Sequence, residues 1–109
     1  MVDTITAHEL AELMSSQGVD VVDVRETNEW AGGHIAGSRV VPLDTLRADP
    51  DAVLSHDSTI VFVCAKGARS LTAAKLAERF GYAKIYNLDG GTAAWARSGL
   101  GLTSEAVAA

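Results

Sequence analysis

Short apolar runs rich in β-branched residues alternate along the chain with stretches of helical periodicity. The runs at 19–24, 38–42, 59–64 and 84–88 predict four strands, because each is short and bounded by polar, glycine or proline residues. The run at 59–64 is almost continuously apolar, which is typical of a strand buried on both faces of a parallel sheet.

The clearest helix start lies near the beginning of the chain. Thr6 and Glu9 form the S/T-x-x-E pattern of a capping box. An apolar stripe with i, i+3, i+4 spacing follows and consists of Leu10, Leu13 and Met14. Gly18 is predicted to end this helix.

A second amphipathic helix is predicted from about Ser70 to Gly81. Its apolar face is predicted to contain Ala73, Leu76, Ala77 and Phe80. Shorter helical turns are expected at 27–31, within 43–58 and at 92–99.

Strands that alternate with helices, without a hairpin signal, predict an α/β fold with a mostly parallel sheet in three α/β/α layers. The chain shows no internal repeat, low-complexity segment or linker. We therefore expect one domain over residues 1–109, with residues 100–109 as a loosely ordered tail.

Composition and charge narrow the function classes. With 109 residues, 48% of them hydrophobic, the chain can bury a core without disulfides or metal. Its net charge of −5 argues against nucleic acid as the main partner, because binding phosphates needs clustered Lys and Arg. A small anionic substrate remains compatible if the field around its site is positive.

The cellular compartment is inferred from the single cysteine and from the N-terminal sequence. One cysteine cannot form an internal disulfide, so nothing indicates an oxidising compartment. The first ten residues lack the basic and apolar regions of a signal peptide, and no apolar run approaches the roughly 20 residues of a membrane span. We expect a cytoplasmic protein with no membrane partner.

The candidate chemistry lies where the strand at 59–64 ends at this cysteine. Ligands of an open parallel sheet bind at the carboxyl ends of its strands, where the next helix also directs its free N–H groups. Small residues let the backbone curl into an anion-binding nest, and two cations add positive charge. We predict Cys64 as the nucleophile and a substrate-binding loop of Ala65, Lys66, Gly67, Ala68, Arg69 and Ser70.

Such a turn is suited to ionising the thiol. An unperturbed cysteine, with a pKa of about 8.5, is only about 3% thiolate at pH 7. A downward shift of about two units, roughly 2.7 kcal/mol, makes it mostly thiolate. The competing interpretation is that Cys64 is a small buried hydrophobe, because free cysteine is often buried.

Three segments together resemble the rhodanese superfamily of sulfurtransferases. CAKGARS is similar to that family's active-site loop. VDVRETNEWAGGHIAGS resembles its first signature, a D-x-R followed by E-W and G-H-I-x-G, and LDGGTAAW resembles its closing G-G-x-x-x-W segment. They cover most of the chain in the family's order and spacing.

The resemblance implies a five-stranded parallel sheet and a ping-pong reaction without a cofactor. Cys64 would take the outer sulfur of a small anionic donor such as thiosulfate, release sulfite and hold a persulfide. A thiol or cyanide would then accept the sulfur. Lys66 and Arg69 would hold the donor's sulfonate.

Loop spacing weighs against phosphatases of the same fold family, which use C-x5-R. Here four residues separate Cys64 from Arg69, so the loop should enclose one sulfur better than a phosphate. Arsenate reduction through an internal resolving thiol is disfavoured by the single cysteine. A persulfide-carrier module in a protein sulfur relay needs the same loop and stays open. The intact loop counts against a third interpretation, a non-catalytic interaction domain.

Charged residues outside the loop are interpreted mainly as structural. Asp23 and Arg25 are expected to form an ion pair, with a field contribution from Arg25 as the alternative. Glu29 is a possible partner for Arg25. His34 is expected to be a structural hydrogen-bonding residue, because a thiolate already ionised by its loop needs no adjacent base.

The remaining singled-out residues predict no further chemistry. A metal site is not expected, because His8 and His56 lie in separate segments without ligands at suitable spacing. Trp30, Trp95 and Phe80 are predicted core residues. The pair Gly90–Gly91 is predicted as a turn that forms at most a wall of the cleft.

Overall fold

The strands of the chain form one parallel sheet. A computed structural model describes residues 2–104. Its strands are β1 (Asp3–Ile5), β2 (Asp20–Asp23), β3 (Arg39–Val40), β4 (Ile60–Val63) and β5 (Ile85–Leu88). They lie in the order β1-β5-β4-β2-β3, and each neighbouring pair is parallel. The predicted α/β fold and the five-stranded parallel sheet are confirmed.

The central strand β4 is buried on both faces. All four of its residues have no exposed surface, as the continuously apolar run predicts. Ile60 and Phe62 belong to one core cluster and Val61 and Val63 to another, because successive side chains point to opposite faces.

Helices cover both faces of the sheet. They are α1 (Ala7–Ser16), α2 (Thr27–Gly32), α3 (Leu43–Ala48), α4 (Pro50–Val53), α5 (Ala68–Arg79) and α6 (Gly91–Arg97). Helices α3 and α5 contribute Leu46 and Leu76 to the cluster around Phe62. Helices α1 and α6 contribute Leu10 and Trp95 to the cluster around Val61. None of the helices among residues 2–104 is long and apolar enough to cross a membrane.

The edge strand β1 is the one strand that the apolar pattern does not predict. It has only three residues, of which Asp3 and Thr4 are exposed, so no alternation marks it. The predicted capping box follows at once: the Thr6 hydroxyl accepts from the N–H of Glu9 at 3.1 Å, and the Glu9 carboxylate accepts from the N–H of Thr6 at 2.8 Å.

The assignment of Phe80 to the buried face of α5 is wrong. The helix ends at Arg79, and the Phe80 side chain is 48% exposed. Tyr82, which follows the turn at Gly81, is buried in the same core cluster as Leu76 and Ala77.

The predicted loose tail is also wrong for the first residues after α6. The Gly101 carbonyl accepts a hydrogen bond from Trp95 Nε1 at 2.7 Å. Thr103 and His34 exchange two backbone hydrogen bonds of 2.8 Å each, as an antiparallel bridge. These bonds hold the segment against the domain; residues 105–109 of the predicted tail lie outside the described residues.

Candidate active site

Cys64 is the first residue after the central strand, at the carboxyl end of the sheet. Its side chain is 1% exposed and packs in the same core cluster as Phe62. The sulfur also has polar neighbours. The N–H of Gly67 donates to Sγ at 3.1 Å, and Ser70 Oγ lies 3.3 Å from Sγ. Cys64 is therefore both a buried residue and a hydrogen-bonded one.

Helix α6 orients the peptide groups of the loop. The Cys64 carbonyl accepts from the N–H of Thr92 at 2.8 Å, and the Ala65 carbonyl accepts from the N–H of Ala93 at 3.1 Å. The C=O and N–H of a trans peptide point in opposite directions. The peptide whose carbonyl faces α6 therefore turns the N–H of Lys66 toward Sγ, and this N–H contributes to lowering the pKa of the thiol.

Gly91 allows α6 to come this close. Its φ is +60°, and an added Cβ would collide with the carbonyl oxygen of Cys64 and lie 2.6 Å from that of Ala65. The sequence predicts Gly90–Gly91 as a turn that forms at most a wall of the cleft. The structure shows that the second glycine also contacts the backbone of the loop.

Hydrogen bonds in the loop favour the thiolate. Burial alone raises the pKa of Cys64. The Ser70 hydroxyl and the N–H groups of Ser70, Gly67 and Lys66 outweigh that effect, so the pKa of the thiol lies below its ordinary value. These hydrogen bonds, rather than the charges of Lys66 and Arg69, are the main lowering influence.

Ser70 connects the cysteine to a residue that the sequence interpretation missed. Its hydroxyl lies 2.6 Å from Asn87 Oδ1 and 3.3 Å from Cys64 Sγ. All three side chains are buried. The signal available in the sequence was the single amide within the apolar run at 84–88. Ser70 is thus a partner of the sulfur at the floor of the loop, and its side chain does not project outward as a ligand for a substrate.

Arg69 does not point freely into the site. Its guanidinium binds the Glu29 carboxylate through two hydrogen bonds of 2.8 and 3.1 Å. The bonds from Arg69 and from the Glu26 N–H lower the pKa of Glu29 to about 2, and Glu29 raises that of Arg69. The suggested pairing of Glu29 with Arg25 is therefore wrong. Lys66 and Ala68 are exposed.

The comparison with protein families agrees with this arrangement, in which the cysteine loop joins a central strand to a helix. The model of the Rhodanese-like domain matches residues 6–98. The chain belongs to the rhodanese-like domain family.

Relatives and solved structures share most of this rhodanese-like chain. It is 37% identical over 89 residues to thiosulfate sulfurtransferase GlpE of Pseudomonas aeruginosa (strain LESB58), covering 82% of this chain and 80% of GlpE. It is 39% identical over 75 residues to YqhL of Bacillus subtilis, covering 69% of this chain but only 59% of YqhL. A rhodanese-related protein from Thermoplasma volcanium superposes with a TM-score of 0.85 at 31% identity, covering 94% of this chain and 99% of that one.

The ion pair that the sequence predicts between Asp23 and Arg25 is present in the structure. Arg25 Nη2 lies 2.8 Å from Asp23 Oδ2, and both side chains are buried. Arg25 Nη2 also donates to the Gly33 carbonyl at 2.7 Å. Its hydrogen bonds thus connect the end of β2 to the segment that follows α2.

His34 has the contacts of a structural residue. Its Nδ1 lies 2.7 Å from the Trp30 carbonyl oxygen, which can only accept, so Nδ1 carries the proton. The imidazole stacks on the Trp30 ring with centroids 3.7 Å apart. No hydrogen bond joins His34 to Cys64 among the contacts of the described chain, and its predicted structural role agrees with this geometry.

The described residues offer no ready metal ligands. Between residues 2 and 104, no group of three or more His, Cys, Asp or Glu side chains could hold a metal ion. His56 instead stacks on Tyr82, with centroids 3.6 Å apart. The predicted core positions of Trp30 and Trp95 are confirmed, because both side chains are buried.

Proposed function

We propose that this chain is a sulfurtransferase that carries a sulfane sulfur as a persulfide on Cys64. The observation that supports this best is the cradle around Sγ: the Gly67 N–H donates to the sulfur at 3.1 Å, Ser70 Oγ lies 3.3 Å from it, and the N–H groups of Lys66 and Ser70 also lower the pKa of the thiol. The backbone N–H donors among them are fixed in a buried site and stabilise anionic sulfur without reorganising during the reaction. The family membership agrees with this chemistry.

The first half-reaction is a displacement at sulfur. The Cys64 thiolate attacks the outer sulfur of thiosulfate, and a new S–S bond forms with the electron pair of the thiolate. The bond between the two sulfurs of thiosulfate breaks, and its electron pair leaves with sulfite. No external oxidant or reductant is needed, and the outer sulfur remains as a persulfide anion on Cys64.

The second half-reaction regenerates the free Cys64 thiolate. A thiol or cyanide attacks the outer sulfur, and the electron pair of the S–S bond returns to Cys64 as thiolate. Because the pKa of Cys64 is lowered, it is a good leaving group in this step.

Phosphate chemistry fits the loop less well. A phosphatase arginine grips the phosphate with both guanidinium nitrogens. In this chain Arg69 follows Cys64 after four residues, and both of its terminal nitrogens are bound to Glu29. This arrangement leaves the sulfur cradle intact but offers no free bidentate arginine.

The Arg69–Glu29 pair also favours a second candidate, a persulfide carrier in a protein sulfur relay. Glu29 neutralises the cation that would otherwise attract the thiosulfate dianion. A persulfide delivered by a partner protein carries less charge than thiosulfate and needs that cation less. The carrier would use the same Cys64 persulfide but turn over thiosulfate poorly.

Intact-mass measurement tests the persulfide directly. The protein is incubated with thiosulfate, desalted and weighed; cyanide is then added and thiocyanate is assayed. Since Cys64 is the only cysteine, any added sulfur reports this residue. Cys64→Ser is the control and should gain none.

The outcomes separate the candidates. Gain of one sulfur followed by repeated thiocyanate formation supports the enzyme. Sulfur uptake from a low-molecular-weight persulfide, with little turnover of thiosulfate, supports the carrier. No uptake from either donor, together with hydrolysis of an aryl phosphate, contradicts both.

A further inference from the structure

The buried row of Cys64, Ser70 and Asn87 contains more hydrogen-bonding possibilities than one arrangement can use. Ser70 Oγ is 3.3 Å from Sγ and 2.6 Å from Asn87 Oδ1. The three side chains are 1%, 0% and 6% exposed, respectively. Each group must therefore find its partners largely within the protein.

The Ser70 hydroxyl has a single proton, which fixes the direction of the row. With the amide oxygen of Asn87 facing it, Ser70 must donate to Oδ1, because a carbonyl oxygen only accepts. Its contact with Cys64 is then a hydrogen bond only if the S–H group donates to Ser70 Oγ. The observed row, S–H to O–H to O=C, is therefore the arrangement of the neutral thiol.

The thiolate requires the opposite direction. Once the proton has left Sγ for a base in solvent, the sulfur can only accept, and the Ser70 proton must turn toward it. Ser70 Oγ and Asn87 Oδ1 would then face each other as two acceptors at 2.6 Å. Rotation of the amide by half a turn replaces Oδ1 with the Nδ2–H₂ group and restores a hydrogen bond.

We propose that Asn87 is a positioning residue whose side-chain amide rotates when Cys64 ionises, so that Ser70 is hydrogen-bonded in both protonation states of the thiol. Asn87 acts through Ser70 and does not touch the sulfur. This inference rests on the proposed use of Cys64 as a thiolate. Its measurable consequence is the pKa of the thiol, which is read without sulfur transfer.

Two substitutions separate the donor and acceptor roles of the amide. Asn87→Asp has a similar shape but only accepts, so it holds the Ser70 proton and withdraws it from the thiolate. Asn87→Leu is similar in size but removes both the acceptor of the neutral row and the donor that the rotated amide supplies to the ionised row. Acting through Ser70, the first raises the pKa of Cys64, and the second shifts it less because both protonation states lose a partner.

Ser70→Ala provides the matched background. A carboxylate at position 87 also repels the thiolate directly, and a leucine also changes the polarity nearby, but both effects persist when the hydroxyl is absent. The pKa of Cys64 is read from the pH dependence of its alkylation by iodoacetamide. Wild type, Asn87→Asp and Asn87→Leu are each compared with and without Ser70→Ala, and circular dichroism checks folding.

We expect Asn87→Asp to raise the pKa of Cys64 by at least one unit more with Ser70 than with alanine at position 70, which is a tenfold difference in thiolate at lower pH. We expect the Ser70-dependent part of the Asn87→Leu shift to be smaller than that of Asn87→Asp. Equal Asn87→Asp shifts in the two backgrounds overturn the proposal, and so does a Ser70-dependent fall of one unit or more in Asn87→Leu, which is expected of an amide that only accepts. If Asn87→Asp does not fold, the Asn87→Leu comparison decides alone. If the protein takes up no sulfur but the pKa shifts caused by the Asn87 variants still depend on Ser70, the proposed function is contradicted and this inference stands.

Discussion

The guanidinium of Arg69 and the carboxylate of Glu29 form a bidentate pair, with N–O distances of 2.8 and 3.1 Å. Forty positions of sequence separate them, and helices α5 and α2 bring them together. Because the pKa of Glu29 is about 2, the pair is ionised throughout the neutral range. The positive charge of Arg69 is thus balanced by Glu29.

We expect Glu29→Gln to improve the use of thiosulfate. In the wild type, Glu29 Oε1 accepts a hydrogen bond from the Glu26 N–H at 3.0 Å. The glutamine amide oxygen can accept the same bond, but the neutral amide no longer balances the charge of Arg69. The KM for thiosulfate should fall about threefold to tenfold, a modest effect because the pair is partly exposed. Steady-state kinetics with cyanide as acceptor measure this change.

The control is Glu12→Gln, which removes the same charge from an exposed position of α1. It should leave the KM for thiosulfate within error of wild type. If both variants change the KM equally, the effect is one of net charge. In that case the pair with Arg69 does not limit donor binding.

Gly91→Ala is expected to disrupt the cysteine loop. Its Cβ would collide with the Cys64 carbonyl, and the residue would also keep an unfavourable φ of +60°. The loop must then move away from α6, and the N–H of Lys66 loses its orientation toward Sγ. We expect a loss of stability of more than about 2 kcal/mol and a higher pKa of Cys64.

Gly99→Ala is the matched control for the backbone strain. Gly99 has a similar φ of +83°, but an added Cβ there meets no atom within 4 Å. Its cost should be limited to about 1–2 kcal/mol, with the alkylation profile of Cys64 unchanged. Urea unfolding and iodoacetamide alkylation of both variants test this. An alkylation profile that changes equally in both variants contradicts the role given to Gly91.

The sequence allowed prediction of what short-range patterns encode. The capping box of Thr6, the buried run that forms β4 and the loop after Cys64 each depend on neighbouring residues, and each was found where expected. In contrast, the sequence does not predict β1, because an exposed strand of three residues has no apolar pattern. It predicts Phe80 in the core, but α5 ends at Arg79 and the Phe80 side chain is exposed.

Contacts between distant segments could not be read from the sequence. The cations near Cys64 were expected to act as free positive charges, but Glu29 binds Arg69. Ser70 was expected to contact substrate, but Asn87 from β5 and Cys64 from the end of β4 enclose it. Which partners meet depends on the sheet order, and the chain alone gave no register for β4 and β5.

The buried pair Asp23–Arg25 should contribute strongly to stability. Asp23→Asn leaves the Arg25 guanidinium buried without its charged partner, so we expect a loss of about 3–5 kcal/mol in the free energy of unfolding. Asp20→Asn is the control, because it makes the same change at the other end of β2. Its partner Arg39 has a side chain that is 45% exposed, and the expected loss is about 1 kcal/mol or less. Urea unfolding compares the two, and similar losses would contradict the difference in burial.

Tyr82 should make stability sensitive to alkaline pH. Burial and a hydrogen bond of 2.6 Å to Asp51 raise the pKa of Tyr82 to about 12, from 10.0. Because the folded pKa is the higher one, the contribution of the neutral phenol is fully present below pH 10 and is lost as the pH rises from 10 to about 12. Tyr82→Phe should lower the melting temperature at pH 8. It should also make the decrease in melting temperature between pH 10 and about 12 smaller than in wild type. Tyr86→Phe, which removes the other tyrosine hydroxyl of the chain, should show the same decrease as wild type. Thermal unfolding at closely spaced pH values measures both, and an identical fall in Tyr82→Phe and wild type would show that Tyr82 does not cause it.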